Sequence, residues 1–105
     1  MRYLNNAFSL AMLGAIDSAT LRVRRLPLEK ASALARNAVS VVGHPTTQRM
    51  LSSLLGYEVA HNRATVALGP GDELIVAQYN GPRLMPGVTE LPEGARIEWF
   101  WMKVE

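Results

Sequence analysis

Apolar and polar positions along the chain change period several times, and the changes mark out its elements. Arg63 to Leu68 sets Ala64, Val66 and Leu68 against Arg63, Thr65 and Ala67, the two-residue period of a strand. Ala19 to Leu26 alternates in the same way, with Leu21 and Val23 on one side and Arg22 and Arg24 on the other, and predicts a half-buried strand. Within Glu73 to Tyr79 the run Leu74-Ile75-Val76-Ala77 is apolar without a break, as expected of a strand buried on both faces. Arg96 to Val104 places Trp99 and Trp101 on one face and Phe100, Met102 and Val104 on the other. Two apolar faces predict core on one side and a subunit contact on the other. Arg2-Tyr3-Leu4 completes the set as a short first strand ending at Asn5-Asn6.

Helical spacing separates these strands. Ser9 stands where it caps a short helix through Leu10, Met12 and Leu13 that stops at Gly14. Pro27 ends the second strand, and Leu28 to Val39 is rich in helix formers. Met50, Leu51, Leu54 and Leu55 share one face of a further helix, closed by Gly56. Gly69-Pro70-Gly71-Asp72 is a turn, and Asn80 to Gly87 has the glycine and proline content of a functional loop. The expected fold is a single α/β domain over residues 1–105, with a mixed central sheet of about five strands flanked by two or three helices.

These elements converge on Val42-Gly43-His44-Pro45-Thr46-Thr47. Glycine permits a sharp turn, and proline has the fixed φ that opens a helix. His44 is therefore expected at a helix mouth, where unpaired N–H groups favour an anion. Two roles fit it: a residue that caps or lines the turn, or a proton donor beside a bound phosphate. Asn6 and Ser9 are expected at the C-terminal end of the first strand, where open α/β sheets place ligands, although on local sequence alone they read first as cap and turn residues.

Composition narrows the chemistry. The chain of 105 residues has no cysteine, only two histidines (His44 and His61), and no His/carboxylate grouping with metal-ligand spacing, so metal catalysis is not expected. No run approaches the length of a membrane span, and a cytoplasmic location is the expectation. Net charge is only +2, yet nine of the eleven basic residues are arginine, whose planar fork suits phosphate oxygens. That balance points to a small phosphate ligand rather than a long nucleic acid.

Asn6-Ala7-Phe8-Ser9 with Met12-Leu13, Gly43-His44, Leu54-Leu55-Gly56, Asn62-Arg63, and Gln78 followed by Arg83-Leu84 occur in one order along nearly the whole chain. This ordered set resembles the viral anti-CRISPR ring nucleases and their cellular relatives, which degrade cyclic tetra-adenylate, the second messenger of type III CRISPR defence. The resemblance implies a homodimer that binds the ring across its axis under a closing loop and cleaves it without metal or other cofactor. It further implies His44 as general acid and Arg83 as the arginine on the scissile phosphate. Asn6, Ser9, Gly43, Arg63 and Gln78 match positions of the nucleotide pocket; His61 matches none and is expected to be dispensable.

Two departures stand out. Ala11 occupies a position where the family often carries asparagine, and Met85 or Pro86 one where its loop often carries glutamate. Either catalysis is slower here, or Glu90 substitutes. Two other classes fit the same residues: a protein that sequesters the ring without cutting it, and an interaction domain presenting Arg22, Arg24 and Arg25.

Overall fold

The computed structural model describes residues 1–105 throughout. Strand β1 (Arg2–Asn5) lies between β3 (Val39–Ser40) and β4 (Glu73–Asn80) and runs parallel to both. Strand β5 (Arg96–Val104) pairs antiparallel with β4 on one side and with β2 (Leu21–Leu26) on the other. The spatial order is β2-β5-β4-β1-β3, a five-stranded mixed sheet.

Helices α1 (Leu28–Ala35) and α2 (Pro45–Leu55) contribute to the same apolar cluster on one face of this sheet. There Ala31 and Ala35 of α1 and Leu51 and Leu55 of α2 bury against Leu4, Ile75, Ala77 and Trp99. Small alanines on α1 let that helix approach the sheet closely, and the larger leucines of α2 fill the remaining space. The opposite face carries a second cluster of Leu68, Leu74, Val76 and Val104. Phe8, Met12, Leu13 and Val66 pack over it. The alternation of β5 is thus real, and its second face packs in part beneath the chain's own segments, with Val104 buried and Phe100 and Met102 partly buried.

Local rules account for the ends of the elements. Ser9 accepts from the Ala11 N–H and caps a 3-10 turn at Leu10–Leu13, which Gly14 ends at φ +58°. Gly56 closes α2 in the left-handed conformation, φ +81°, with its N–H on the Ser52 carbonyl. Both caps stand where the sequence places them.

Three expectations need correction. Arg63 to Leu68 is not a strand. Val66 and Leu68 do turn inward, but the segment lies over the second apolar cluster rather than beside an edge strand, and its backbone joins no ladder. Leu68 instead donates its N–H to the Met12 carbonyl, tying the segment to the 3-10 turn. The fifth strand is Val39–Ser40, which sequence reading placed at the end of the preceding helix. That helix stops at Ala35, and the chain pairs Val39 and Ser40 with Tyr3 and Leu4 on the open side of β1. Lastly, β2 is an edge strand, and Val23 is 52 % exposed rather than half-buried.

Candidate functional site

The C-terminal ends of β1, β3 and β4 lie side by side because these three strands are parallel and adjacent. Each releases its chain into one of the stretches singled out above. Beyond β1 come Asn6 and the Ser9 cap; beyond β3 come Val42, Gly43 and His44; beyond β4 comes the loop bearing Arg83. Asn5 pairs with Val76, so Gln78 lies two residues further towards the same edge. Ligands of open α/β sheets bind at this kind of edge, where connections leave the central strand in opposite directions.

His44 is the N-cap of α2, with extended backbone at φ −108° and ψ 120°, and Pro45 is the first helical residue. Its carbonyl accepts from the Gln48 N–H, starting the helical ladder. Its side chain makes no capping hydrogen bond and is exposed. The imidazole is therefore free, beside N–H groups that carry the positive end of the helix dipole.

Gly43 serves a different purpose from the sharp turn expected of it. Its φ is not positive. A Cβ there would come within 3.3 Å of the Arg63 Cβ and 3.4 Å of its Cα, so the missing side chain is what lets Arg63 lie against the turn. The stretch around Arg63 is held in register by a parallel bridge between Val42 and His61 and by the Asn62 N–H on the Val42 carbonyl, 2.9 Å. Gly43, His44 and Arg63 thus form one corner.

Arg83 is exposed on the segment Gly81–Ala95, which follows β4. This loop is longer than the Asn80–Gly87 expected from composition, and its two ends are pinched together. A Cβ on Gly81 would lie 2.5 Å from the Ala95 Cβ. The Tyr79 hydroxyl donates to the Pro82 carbonyl, anchoring the first turn. Glu90 is exposed on the same loop.

The arginines divide sharply. Arg2 pairs with Glu73, Arg22 with Glu105, and Arg25 and Arg96 both with Glu98. Arg24 lies 5.5 Å from the Trp101 ring centre and Arg36 4.5 Å from that of Tyr57. Arg49, Arg63 and Arg83 alone have neither a carboxylate nor an aromatic ring. Two of these three are the arginines that the sequence assigned to the site. No group of three or more His, Cys, Asp or Glu side chains stands together as a metal ligand set.

A family model for STIV B116-like proteins matches residues 2–97. The chain belongs to the STIV B116-like family. The match runs from β1 into the start of β5 and so takes in every residue assigned to the site. Among solved structures, this B116-like chain is similar to B116 of Sulfolobus turreted icosahedral virus, with a TM-score of 0.82 and 23 % identity over 97 % of each chain. At that identity the likeness is one of fold. No curated protein matches the chain. No helix of this B116-like protein is long and apolar enough to cross a membrane.

An apolar cleft lies elsewhere, between the two helices, β2 and β5. It holds about 370 Å³ and is lined chiefly by Leu26, Leu28, Leu54, Leu91, Ile97 and Trp99. Its walls are apolar and it contains none of the predicted site residues. His61, which no sequence motif places at the site, touches Gly43 directly: its Nε2 lies 3.0 Å from the Gly43 carbonyl oxygen.

Proposed function

We propose that this protein is a ring nuclease that opens cyclic tetra-adenylate without a metal and, by removing that messenger, switches off type III CRISPR signalling. The observation that carries the reading is the pairing of an uncapped, exposed His44 with uncommitted guanidinium groups at one sheet edge. Neither the His44 ring nor the Arg63 and Arg83 guanidinium groups are engaged by a carboxylate or a ring of the fold, so all three are open to a ligand. The resemblance of the same residues to the ring nucleases supplies the substrate.

The reaction needs a ribose 2′-hydroxyl in line with the adjacent 3′-phosphate. A 2′-O–P bond forms and the P–O5′ bond breaks, leaving a 2′,3′-cyclic phosphate and a 5′-hydroxyl. His44, as imidazolium, donates its proton to the departing O5′, and the 2′-hydroxyl proton passes to solvent. A positioned general acid contributes about 10²–10⁴-fold. Arg83 and the α2 N–H groups stabilise the charge on the phosphorane, which reaches its maximum in the transition state. Arg63 and Gln78 hold a neighbouring nucleotide, with Asn6 and Ser9 at the far wall. The active unit is a homodimer: one domain of 105 residues has little room to enclose a four-nucleotide ring, and a two-fold axis presents each His44 to an equivalent phosphate.

Incubation with cyclic tetra-adenylate in EDTA tests this directly. Linear products ending in a cyclic phosphate support the nuclease. Tight binding without cleavage reduces the protein to a sequestering one, and the absence of both binding and cleavage removes the ligand from consideration.

A further inference from the structure

The residues that follow Val59 form a strap along the segment leading into His44. Ser40 Oγ donates to the Ala60 carbonyl at 2.6 Å, and Asn62 Nδ2 donates to the Ser40 carbonyl at 3.0 Å. The Asn62 N–H takes the Val42 carbonyl, and Arg63 covers Gly43. The last tie is His61 Nε2 on the Gly43 oxygen at 3.0 Å. A carbonyl only accepts, so Nε2 must carry the hydrogen in this contact.

That bond acts on one particular peptide unit. The Gly43 C=O and the His44 N–H belong to the same rigid plane, so holding the oxygen sets the direction of the N–H and of the His44 Cα that follows. No other hydrogen bond to the Gly43 carbonyl restrains it, and Gly43 has no side chain to do so. We infer that His61 is a positioning residue which, through its Nε2–H bond to Gly43, holds the Gly43–His44 peptide and so aims the His44 imidazole at its target. This rests on the reading of His44 as proton donor and replaces the expectation that His61 is dispensable.

The test compares His61→Ala with His61→Gln, whose side-chain amide reproduces the donor at similar reach. One neutral hydrogen bond of this kind corresponds to about threefold to tenfold in rate. His61→Ala is expected to slow single-turnover cleavage of cyclic tetra-adenylate by that factor with the ring's Kd changed less than twofold. His61→Gln is expected to recover most of the loss. The backbone amide resonance of His44 should move in His61→Ala and stay near its wild-type position in His61→Gln. An unmoved His44 amide in His61→Ala, or a weakened Kd at unchanged rate, overturns the assignment. If wild-type protein neither binds nor cuts the ring, the nuclease reading fails by itself, and the His44 amide in the two variants still decides whether His61 positions that peptide.

Discussion

The two ends of the parallel strands are built in opposite ways. At the N-terminal end, charge is consumed by the fold. Glu73 accepts from Arg2 and, at 2.6 Å, from the Trp101 indole N–H. Asp72 accepts from the Gly69 N–H at 2.9 Å and from the Met1 amino group. At the C-terminal end Glu98 does bind Arg25, Arg96 and Asn80, but His44, Arg63 and Arg83 remain unpaired and exposed. A fold that can satisfy its charges so closely at one end has no structural need to leave them open at the other. The contrast separates groups that hold the sheet together from groups available to a ligand.

The strongest way to break this comparison is His44→Ala. If the open end is catalytic, cleavage should fall by about 10²–10⁴-fold while ring affinity stays within about tenfold, the pattern of a group that acts in the transition state. Thermal stability should not change, because the side chain makes no capping bond. Full cleavage by this variant would remove His44 from the mechanism.

Arg83→Ala set against Arg22→Ala sharpens the contrast one step further. Arg22 is half exposed and already paired with Glu105, so its loss should alter cleavage less than about twofold. Arg83 is free, and losing a cation from a developing phosphorane should cost about 10–100-fold. Equal losses in single-turnover assays would mean a diffuse basic surface in place of a discrete site.

Much of this arrangement was legible in the chain, for reasons that differ from residue to residue. The α2 boundaries follow from local chemistry, since Pro45 has the fixed φ of a first helical residue and Gly56 permits the left-handed conformation that closes the helix. β4 and β5 follow from length and apolar content. The segment around Val66 misled because alternation reports which side chains turn inward and says nothing of whether the backbone finds a partner. Val39–Ser40 was hidden for the converse reason: two residues carry no period, and only the open side of β1 makes them a strand. His61 was set aside as dispensable because its contact with Gly43 depends on the Val42 bridge, a pairing of distant residues that no local pattern encodes.

Gly43→Ala probes the corner itself and should have a smaller effect than Arg83→Ala. The new methyl would stand 3.3 Å from the Arg63 Cβ, closer than ordinary contact, so the strap must shift by a few tenths of an ångström. Ring affinity should weaken about threefold to tenfold through Arg63, with stability altered by no more than about 1 kcal/mol. Isothermal titration with the uncut ring on a His44→Ala background reads the binding change without turnover. Affinity equal to that of His44→Ala alone would take Arg63 out of the pocket.

The smallest effect belongs to the closed end and concerns pH. The Trp101 indole N–H, with help from Arg2, holds the Glu73 carboxyl below its usual range, and the Gly69 N–H does the same for Asp72. Folding therefore weakens proton binding at both groups, and the unfolded chain takes up more protons as the solution is acidified. Their stabilising contribution is complete above the unfolded carboxylate values, about 3.9 for aspartate and 4.3 for glutamate. It is lost as pH falls through those values and on through the lower folded ones. Urea midpoints should be flat from neutral pH down to about 5 and then decline. Glu73→Gln keeps an acceptor for Trp101 but gives up the charge facing Arg2, a pair about one quarter exposed on each side. It should lower stability at pH 7 by about 0.5–1 kcal/mol, after allowance for solvent screening, and make the acid decline shallower. Cleavage at pH 7 should be unchanged, since Glu73 lies at the opposite end of the strands from His44. A decline as steep in Glu73→Gln as in the wild type would show that the acid sensitivity comes from Asp72 and other carboxylates, and a loss of cleavage would show that the two ends are not independent.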